Sequence, residues 1–205
     1  PSILPPLSLA ESLETTQIHS VAGKLGSNVS LITQRPFRSP HHSTSQVAMT
    51  GGTSKATPGE ISLAHFGILY LDELPEFSKT TLEVLCQPLE DRKITIARAN
   101  YTVEYPCSCM LVASMNPCPC GYYGSPNKEC TCRDMEISRY MGRISGPLLD
   151  RIDIQIEVTP VKYSELDSSE GGDTSKQIRD RVNRARKIQI SRYQEYKIFS
   201  NSELT

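Results

Sequence analysis

Two adjacent carboxylates close a short apolar run, Gly67-Ile-Leu-Tyr-Leu-Asp-Glu, ending in Asp72 and Glu73. Uninterrupted apolar residues suit a strand covered on both faces, as in a parallel α/β sheet. Acids directly after such a strand stand at its carboxyl end, where open α/β sheets bind ligands. The pair suits phosphoryl transfer to water: Asp72 would hold Mg²⁺ and Glu73 would orient or deprotonate the attacking water. The same residues also satisfy a plain strand end followed by a turn at Pro75. Asn116 stands just past a second apolar run, Met110–Ser114. A carboxamide there could hydrogen-bond a γ-phosphate and the attacking water, although Asn before Pro is equally a turn former. Arg151, in Gly146-Pro-Leu-Leu-Asp-Arg-Ile-Asp, precedes a third apolar segment. At a subunit edge it could reach a neighbour's γ-phosphate; the alternative is a surface pair with Asp150 or Asp153, worth little.

The phosphate-cradling pattern G-x-x-x-x-G-K-[ST] is absent from the sequence. Gly23-Lys24 does not supply it: Leu25 follows where Ser or Thr is required, and Ile18 occupies the place of the first Gly. Either these residues do not serve a nucleotide, or the loop lies upstream of Pro1. The chain opens on Pro1 and ends at Thr205 within a polar segment, both of which read as cuts in a longer protein.

A second constellation is Cys118, Cys120, Cys130 and Cys132, spaced C-x-C-x₉-C-x-C. Four thiolates can close a tetrahedral Zn²⁺ site, and such a site would stabilise an intervening loop too polar to hold itself. Zinc fingers more often use C-x₂-C, so four free thiols, a disulfide or an iron–sulfur cluster stay open. Cys107 and Cys109 alternate as strand residues and read as packing or spare thiols; Cys86 reads as a small buried residue. Adjacent His41 and His42 point different ways and suit a loop role at a nucleotide edge or a subunit contact. His65 reads as a packed, hydrogen-bonded side chain.

The elements needed to position these groups are legible in outline. Ser8 with Glu11 forms a capping box for a helix over Leu9–Ser20. Residues 35–60 read mostly as loop with a short helix near Thr44–Met49, and helical pattern resumes at Pro58–Ala64. Lys79–Leu89 reads as one helix. Lys93–Arg98 and Tyr101–Tyr105 read as a hairpin turning at Ala99-Asn100. A helix and turn are expected over 135–149, a strand over Ile152–Val158, a polar linker over 163–175, and a basic helix from about Lys176 to Tyr196 with Ile178, Val182, Ala185 and Ile188 as its apolar stripe. That helix carries a solvated basic face or, alternatively, a nucleic-acid surface.

With 205 residues and a net charge of −1, the chain has room for one sizeable core, and its global charge selects neither nucleic acid nor membrane. No apolar run is long enough to span a bilayer. Seven cysteines, an odd number, without a secretory signal favour the cytoplasm over a disulfide framework.

Six segments in order carry a specific resemblance: Arg35-Pro-Phe-Arg-Ser-Pro-His-His, Pro58-Gly-Glu-Ile-Ser-Leu-Ala-His, Leu71-Asp-Glu-Leu-Pro-Glu-Phe, Gln87-Pro-Leu-Glu-Asp, Met115-Asn-Pro-Cys-Pro-Cys-Gly and Ser145-Gly-Pro-Leu-Leu-Asp-Arg-Ile-Asp. Together they resemble the magnesium-chelatase-like AAA+ ATPases of the bacterial ComM (YifB) type over nearly the whole chain. The resemblance implies an α/β AAA+ core at residues 1–162 that lacks its first strand and Walker A loop, a linker at 163–175, and the beginning of a helical lid at 176–205. It implies ATP and Mg²⁺ as cofactors, Asp72 and Glu73 as Walker B acids, Asn116 as sensor 1 and Arg151 as arginine finger. It further implies self-assembly into a ring, hexameric in the full-length form, that remodels DNA by branch migration in transformation or recombination. In helicase relatives a hairpin before sensor 1 carries a basic residue into the ring pore; Arg98 matches that place, with Lys93 at the hairpin base, and Lys55 lies on the insertion in helix 2. Exposed basic residues on an ordinary hairpin are the alternative. Two other functions stay open: the ATPase motor subunit of a metal chelatase, and a non-catalytic zinc-containing interaction module.

Overall fold

The computed structural model describes residues 2–52, 55–98, 101–158, 172–195 and 201. It divides into two compact units, Leu7–Pro160 and a smaller one made of Pro1–Pro6 with Val161–Thr205. The expected hairpin tip at Ala99-Asn100 and residues 163–171 of the expected linker lie outside the described residues.

In the larger unit, helix α1 (Leu9–Val21) starts at the expected capping box: the Ser8 N–H donates to Glu11 at 2.7 Å, and the Glu11 N–H donates to the Ser8 hydroxyl. Strands β1 (Phe37–Arg38), β2 (Ile68–Leu71) and β5 (Met110–Ala113) form a parallel sheet in the order β1-β2-β5. β1 interrupts a segment whose Ser, Thr, Gly and Pro content suggests loop alone; of the residues between Pro36 and Pro40, Phe37 and Arg38 pair. The chain enters β2 through Gly67, where a Cβ would come within 2.0 Å of the Pro36 carbonyl, so only glycine lets β1 and β2 approach. Arg35 ties this entry to α1, donating to the Phe66 carbonyl at 2.6 Å and pairing with Glu11 at 3.2 Å.

Helices flank the sheet: α2 (Gln46–Thr50), α3 (Glu60–Leu63), α4 (Lys79–Glu83), α5 (Cys86–Asp91), α6 (Asp134–Met141) and α7 (Gly146–Leu149). Leu69 and Leu71 of β2 are fully buried and pack in one core with Met49, Ile61, Leu82, Leu85, Ile144 and Leu148. The helix expected over Lys79–Leu89 is two helices, broken at Val84-Leu85. Pro88 explains the break: it has no N–H for the Val84 carbonyl, and its ring opposes that carbonyl.

Strands β3 (Lys93–Arg98) and β4 (Tyr101–Pro106) pair as the expected antiparallel hairpin, Lys93 opposite Pro106 and Arg98 opposite Tyr101. The strand expected over Ile152–Val158 does not form. Apolar content there is not enough: a strand requires a ladder partner, and these residues pair with none among the described residues. Ile154, Ile156 and Val158 are each about 80% exposed as a result.

In the smaller unit, α8 (Ser175–Tyr193) is capped by Thr174 and Gln177, and Arg179 donates to the Ser2 carbonyl at 2.6 Å. Of the expected stripe, Ile178 and Val182 are half-buried, whereas Ala185 and Ile188 are exposed. Among the described residues no helix is long and apolar enough to cross a membrane.

His65, at the end of α3, is buried as expected; its Nδ1 accepts from the Ser108 N–H at 3.0 Å. Its Nε2 lies 3.4 Å from Glu14 without hydrogen-bond geometry. Burial pushes its pKa down to about 4, against a smaller opposing pull from Glu11. Because the unfolded chain binds this proton more tightly, the stabilisation is complete above the ordinary histidine value of 6.5 and is lost as pH falls from there toward 4. The span corresponds to roughly 3 kcal/mol. Thermal unfolding followed between pH 7 and pH 4 should show that loss. His65→Asn, which keeps an acceptor for Ser108, should flatten it; an unchanged slope would exclude His65 as its source.

Candidate functional site

The carboxyl ends of β2 and β5 form one surface. Leu71 pairs with Ala113, so the residues that follow, Asp72 and Ser114, meet side by side. Ser114 Oγ donates to Asp72 Oδ1 through a short hydrogen bond. Tyr70 donates to the same oxygen at 3.4 Å and lies 3.1 Å from Ser114 Oγ, while the Glu73 N–H donates to it at 3.1 Å. These donors hold the Asp72 carboxyl below the usual carboxylate range, Ser114 most strongly. All three act on Oδ1, which leaves Oδ2 without such a donor among the described residues and directs an ionised oxygen outward.

Glu73 adopts a left-handed backbone conformation, φ 53° and ψ 48°. A non-glycine residue held there costs on the order of 1 kcal/mol or more and persists only where its surroundings impose it. Here the following 3₁₀ turn, Leu74–Glu76, is anchored by the Leu74 N–H donating to the Ser114 carbonyl at 2.9 Å. The Glu73 carboxylate extends to His42, 3.3 Å from its Nδ1. His42 lies against His41 with centroids 4.0 Å apart and the rings tilted by 37°, and it meets Phe77 edge-on.

Asp72, Glu73, Ser114, Met115 and Asn116 line a single small cleft. The structure thus brings together three of the residues singled out in the sequence, Asp72, Glu73 and Asn116. It adds Ser114, Tyr70 and His42, whose roles depend on contacts across strands. Only His42 carried an advance signal, its place in a loop expected near a nucleotide. The arrangement offers a cation an exposed carboxylate, offers a water a second carboxylate, and sets a carboxamide beside both.

Arg151 does not line this cleft; it pairs with Glu90 of α5 through a short ion pair rather than with Asp150 or Asp153. The basic hairpin residues do not share a face. Lys93 lies outward beside Glu104, 3.0 Å away, whereas Arg98 continues the inner row of Ile94 and Ile96. Arg98 reaches the loop that Gly51 and Pro58 close by a β-bridge, where a Cβ on Gly52 would be 3.3 Å from its guanidinium. Tyr105 secures the same loop by donating to the Ala56 carbonyl at 2.9 Å, and Lys55 is exposed on it.

Cys118, Cys120, Cys130 and Cys132 converge, with all four Sγ atoms within 4.8 Å of one another. Sγ of Cys118 is 3.3 Å from Cys120 and 3.7 Å from Cys130, and Cys120 is 3.6 Å from Cys130. These separations are too long for disulfides and near the roughly 3.8 Å edge of a tetrahedron of thiolates around zinc. Backbone N–H groups support the sulfurs: that of Tyr123 donates to Cys118 at 3.3 Å, and those of Tyr122 and Thr131 pull the Cys120 thiol down to about 5. Cys130 moves the other way, to about 12; the Cys132 N–H favours its thiolate, but burial and the Cys120 and Cys118 sulfurs outweigh it. Two of the thiols, Cys118 and Cys120, are shifted down and two, Cys130 and Cys132, up, and a divalent cation held by the four converging sulfurs would neutralise their thiolates. The donor set therefore fits Zn²⁺. Cys107 is buried in the connector after β4, with its thiol 3.3 Å from the Pro88 carbonyl, and burial raises both it and Cys109 to about 12. Cys86 is half-buried rather than fully enclosed.

The profile of the family described as "Magnesium chelatase, subunit ChlI" matches residues 1–166. Competence protein ComM of Haemophilus influenzae is 43% identical over 204 residues, covering 98% of this chain and 39% of that protein. The YifB protein of Escherichia coli is 43% identical over 191 residues, covering 93% of this chain and 37% of that protein. An uncharacterized protein of Mycobacterium tuberculosis is 43% identical over 206 residues, covering 100% of this chain and 40% of that protein. The chain belongs to the magnesium-chelatase-like family of ComM and YifB. It spans about 40% of the length of these relatives. Among solved structures, NtrX of Brucella abortus in complex with ATP aligns over 58% of this chain and 25% of that one, at 19% identity and a TM-score of 0.39.

Ser114→Ala removes the strongest donor to Asp72. Carboxyl-detected NMR titration of the variant should show the Asp72 pKa rising toward the ordinary carboxylate value; an unmoved titration would exclude Ser114 as the group that holds this pKa down.

Proposed function

We propose that this chain carries the magnesium- and water-handling half of an AAA+ ATPase site. The supporting observation is the meeting of Asp72, Glu73 and Asn116 at the carboxyl ends of two adjacent parallel strands. Asp72 binds Mg²⁺, which when present neutralises charge on the β- and γ-phosphates. Glu73 takes the proton of a water whose oxygen attacks the γ-phosphorus; the bond to the bridging oxygen breaks, and ADP departs with that oxygen. Asn116 donates from its carboxamide to the γ-phosphate and accepts from the attacking water. His42 holds the Glu73 carboxylate in its extended position. Arg151 acts on the γ-phosphate bound by a neighbouring subunit of a ring, with Glu90 as its resting partner. The phosphate-cradling loop comes from residues beyond this chain, in keeping with relatives more than twice as long.

The motor works in the cytoplasm on DNA, as a hexameric ring that drives branch migration, with Arg98 and Lys55 contacting phosphate. Contact between Arg98 and the 51–58 loop supports treating the hairpin and that loop as one surface. Lys93, held by Glu104, is the weaker contributor. The four-cysteine cluster holds a structural Zn²⁺. A second reading, the motor subunit of a metal chelatase, is favoured by the description of the matching family; porphyrin-dependent rather than DNA-stimulated hydrolysis by the full-length protein would select it.

In the full-length protein, Glu73→Gln should lower ATP turnover about 10²- to 10⁴-fold while nucleotide still binds. The 205-residue chain by itself should turn over no ATP, since it has no phosphate loop. Unchanged turnover in the variant would remove Glu73 from the mechanism, and no turnover even by the native full-length protein would replace the ATPase reading with a non-catalytic zinc-containing interaction module.

A further inference from the structure

Asn116 stands outside regular structure. β5 ends at Ala113, and the chain beyond it runs through Pro117 to Cys118, whose side chain is fully buried. The segment then folds back: the Gly121 N–H donates to the Cys118 carbonyl at 3.0 Å, which sets Gly121 against Asn116, with a built Cβ 4.0 Å from its carboxamide carbon. The hydroxyl of Tyr140, a buried residue of α6, lies close enough to the Asn116 backbone for that peptide to favour its ionised form, against the larger opposing effect of burial. Cys130 and Cys132 lead directly into α6, whose first turn is closed by the Arg133 N–H donating to Glu136 at 2.8 Å.

Between the two cysteine pairs, residues 122–129 are almost entirely exposed. Their contacts are local, a Tyr122–Ser125 turn and Lys128 over the Tyr122 ring at 4.1 Å. No apolar burial holds this excursion closed. The four sulfurs are its closure, and they join the turn beneath Asn116 to the start of the helix that carries Tyr140.

We propose that a divalent metal bound by Cys118, Cys120, Cys130 and Cys132 is the clamp that positions the Asn116 carboxamide over the Asp72–Glu73 cleft. The inference rests on the reading of Asn116 as phosphate sensor and extends it: the metal site belongs to the hydrolytic machinery and is not a remote staple. One cross-link fixes both sides of Asn116, the Cys118–Gly121 turn below it and, through Cys132 and α6, the Tyr140 hydroxyl at its backbone. Asn116 is a catalytic residue in this scheme, and the cysteines are positioning residues.

The test has two arms. On the 205-residue chain, elemental analysis should find one zinc per chain, and Cd²⁺ exchanged into it should give a ¹¹³Cd resonance in the thiolate range. Chelation, or Cys130→Ser with Cys132→Ser, should speed hydrogen exchange at residues 114–121 at least tenfold and leave β2 and the β3–β4 hairpin protected. Zn²⁺ should restore protection after chelation. On the full-length protein, the same treatments should lower kcat for ATP about 10- to 100-fold with little change in KM, as for a displaced catalytic group. Absence of metal overturns the proposal, as does bound metal whose removal leaves exchange at 114–121 unchanged. Loosening of 114–121 without any loss of kcat upholds the clamp and overturns the sensor reading instead. Global loss of protection in the cysteine variant leaves chelation with Zn²⁺ recovery as the deciding measurement.

Discussion

The site depends on the parallel pairing of β2 with β5. Its ladder extends past both strand ends: the Phe66 N–H donates to the Ser108 carbonyl, Met110 to Gly67, Ser114 to Leu71, and Leu74 to Ser114, at distances of 2.8 to 3.0 Å. With Leu69 and Leu71 buried, a slip by one residue would turn that apolar pair away from the core, so packing selects one register. In this register Ser114 abuts Asp72, and Asn116 lies at the same end of the sheet. The lowered pKa of Asp72 and the anchoring of the turn that carries Glu73 both follow from that alignment.

The surrounding contacts show how the alignment is protected. At the entry to β2, Gly67 admits β1, and Arg35 ties the preceding turn to α1. At the exit, the Leu74–Ser114 hydrogen bond pins the turn that carries Glu73. His42, after β1, completes the arrangement from the third strand by meeting the Glu73 carboxylate. Each strand of the sheet thereby contributes one element of the cleft: a histidine from β1, two acids from β2, a serine and a carboxamide from β5. Glu73, the residue that would handle water, has a left-handed backbone, as do Ala56, Phe66 and Arg92 elsewhere in the fold.

Two features lie apart from the cleft. The segment Ile152–Val158 has strand composition without a strand partner; Ile152 packs against the core, but Ile154 and Ile156 are left in solvent. The hairpin and the Gly51–Pro58 loop form a second surface, in which a bridge, a tyrosine hydroxyl and the Arg98 guanidinium meet. Arg98 and Lys93 are five residues apart on one strand, and the two-residue pleat sends them to opposite faces, so a cluster of basic residues in sequence is not a cluster in space.

By itself, the sequence determined those elements whose signals are local. Four apolar residues before two acids marked β2, Ser8 with Glu11 marked the start of α1, and alternating β-branched residues marked the hairpin. The spacing of Cys118, Cys120, Cys130 and Cys132 marked a candidate tetrathiolate. What the sequence could not carry depended on partners distant along the chain. The two-residue β1 exists only because β2 pairs with it; residues 152–158 have strand composition but pair with no described strand. Pro88, visible in the sequence, breaks a helix whose leucine spacing suggested continuity. The hydrogen bond from Ser114 to Asp72, separated by 42 positions, and the reach of His42 to Glu73 were decided by strand order and register. Local patterns encode backbone conformation, but only tertiary packing sets which side chains share a pocket and therefore which of them can act together.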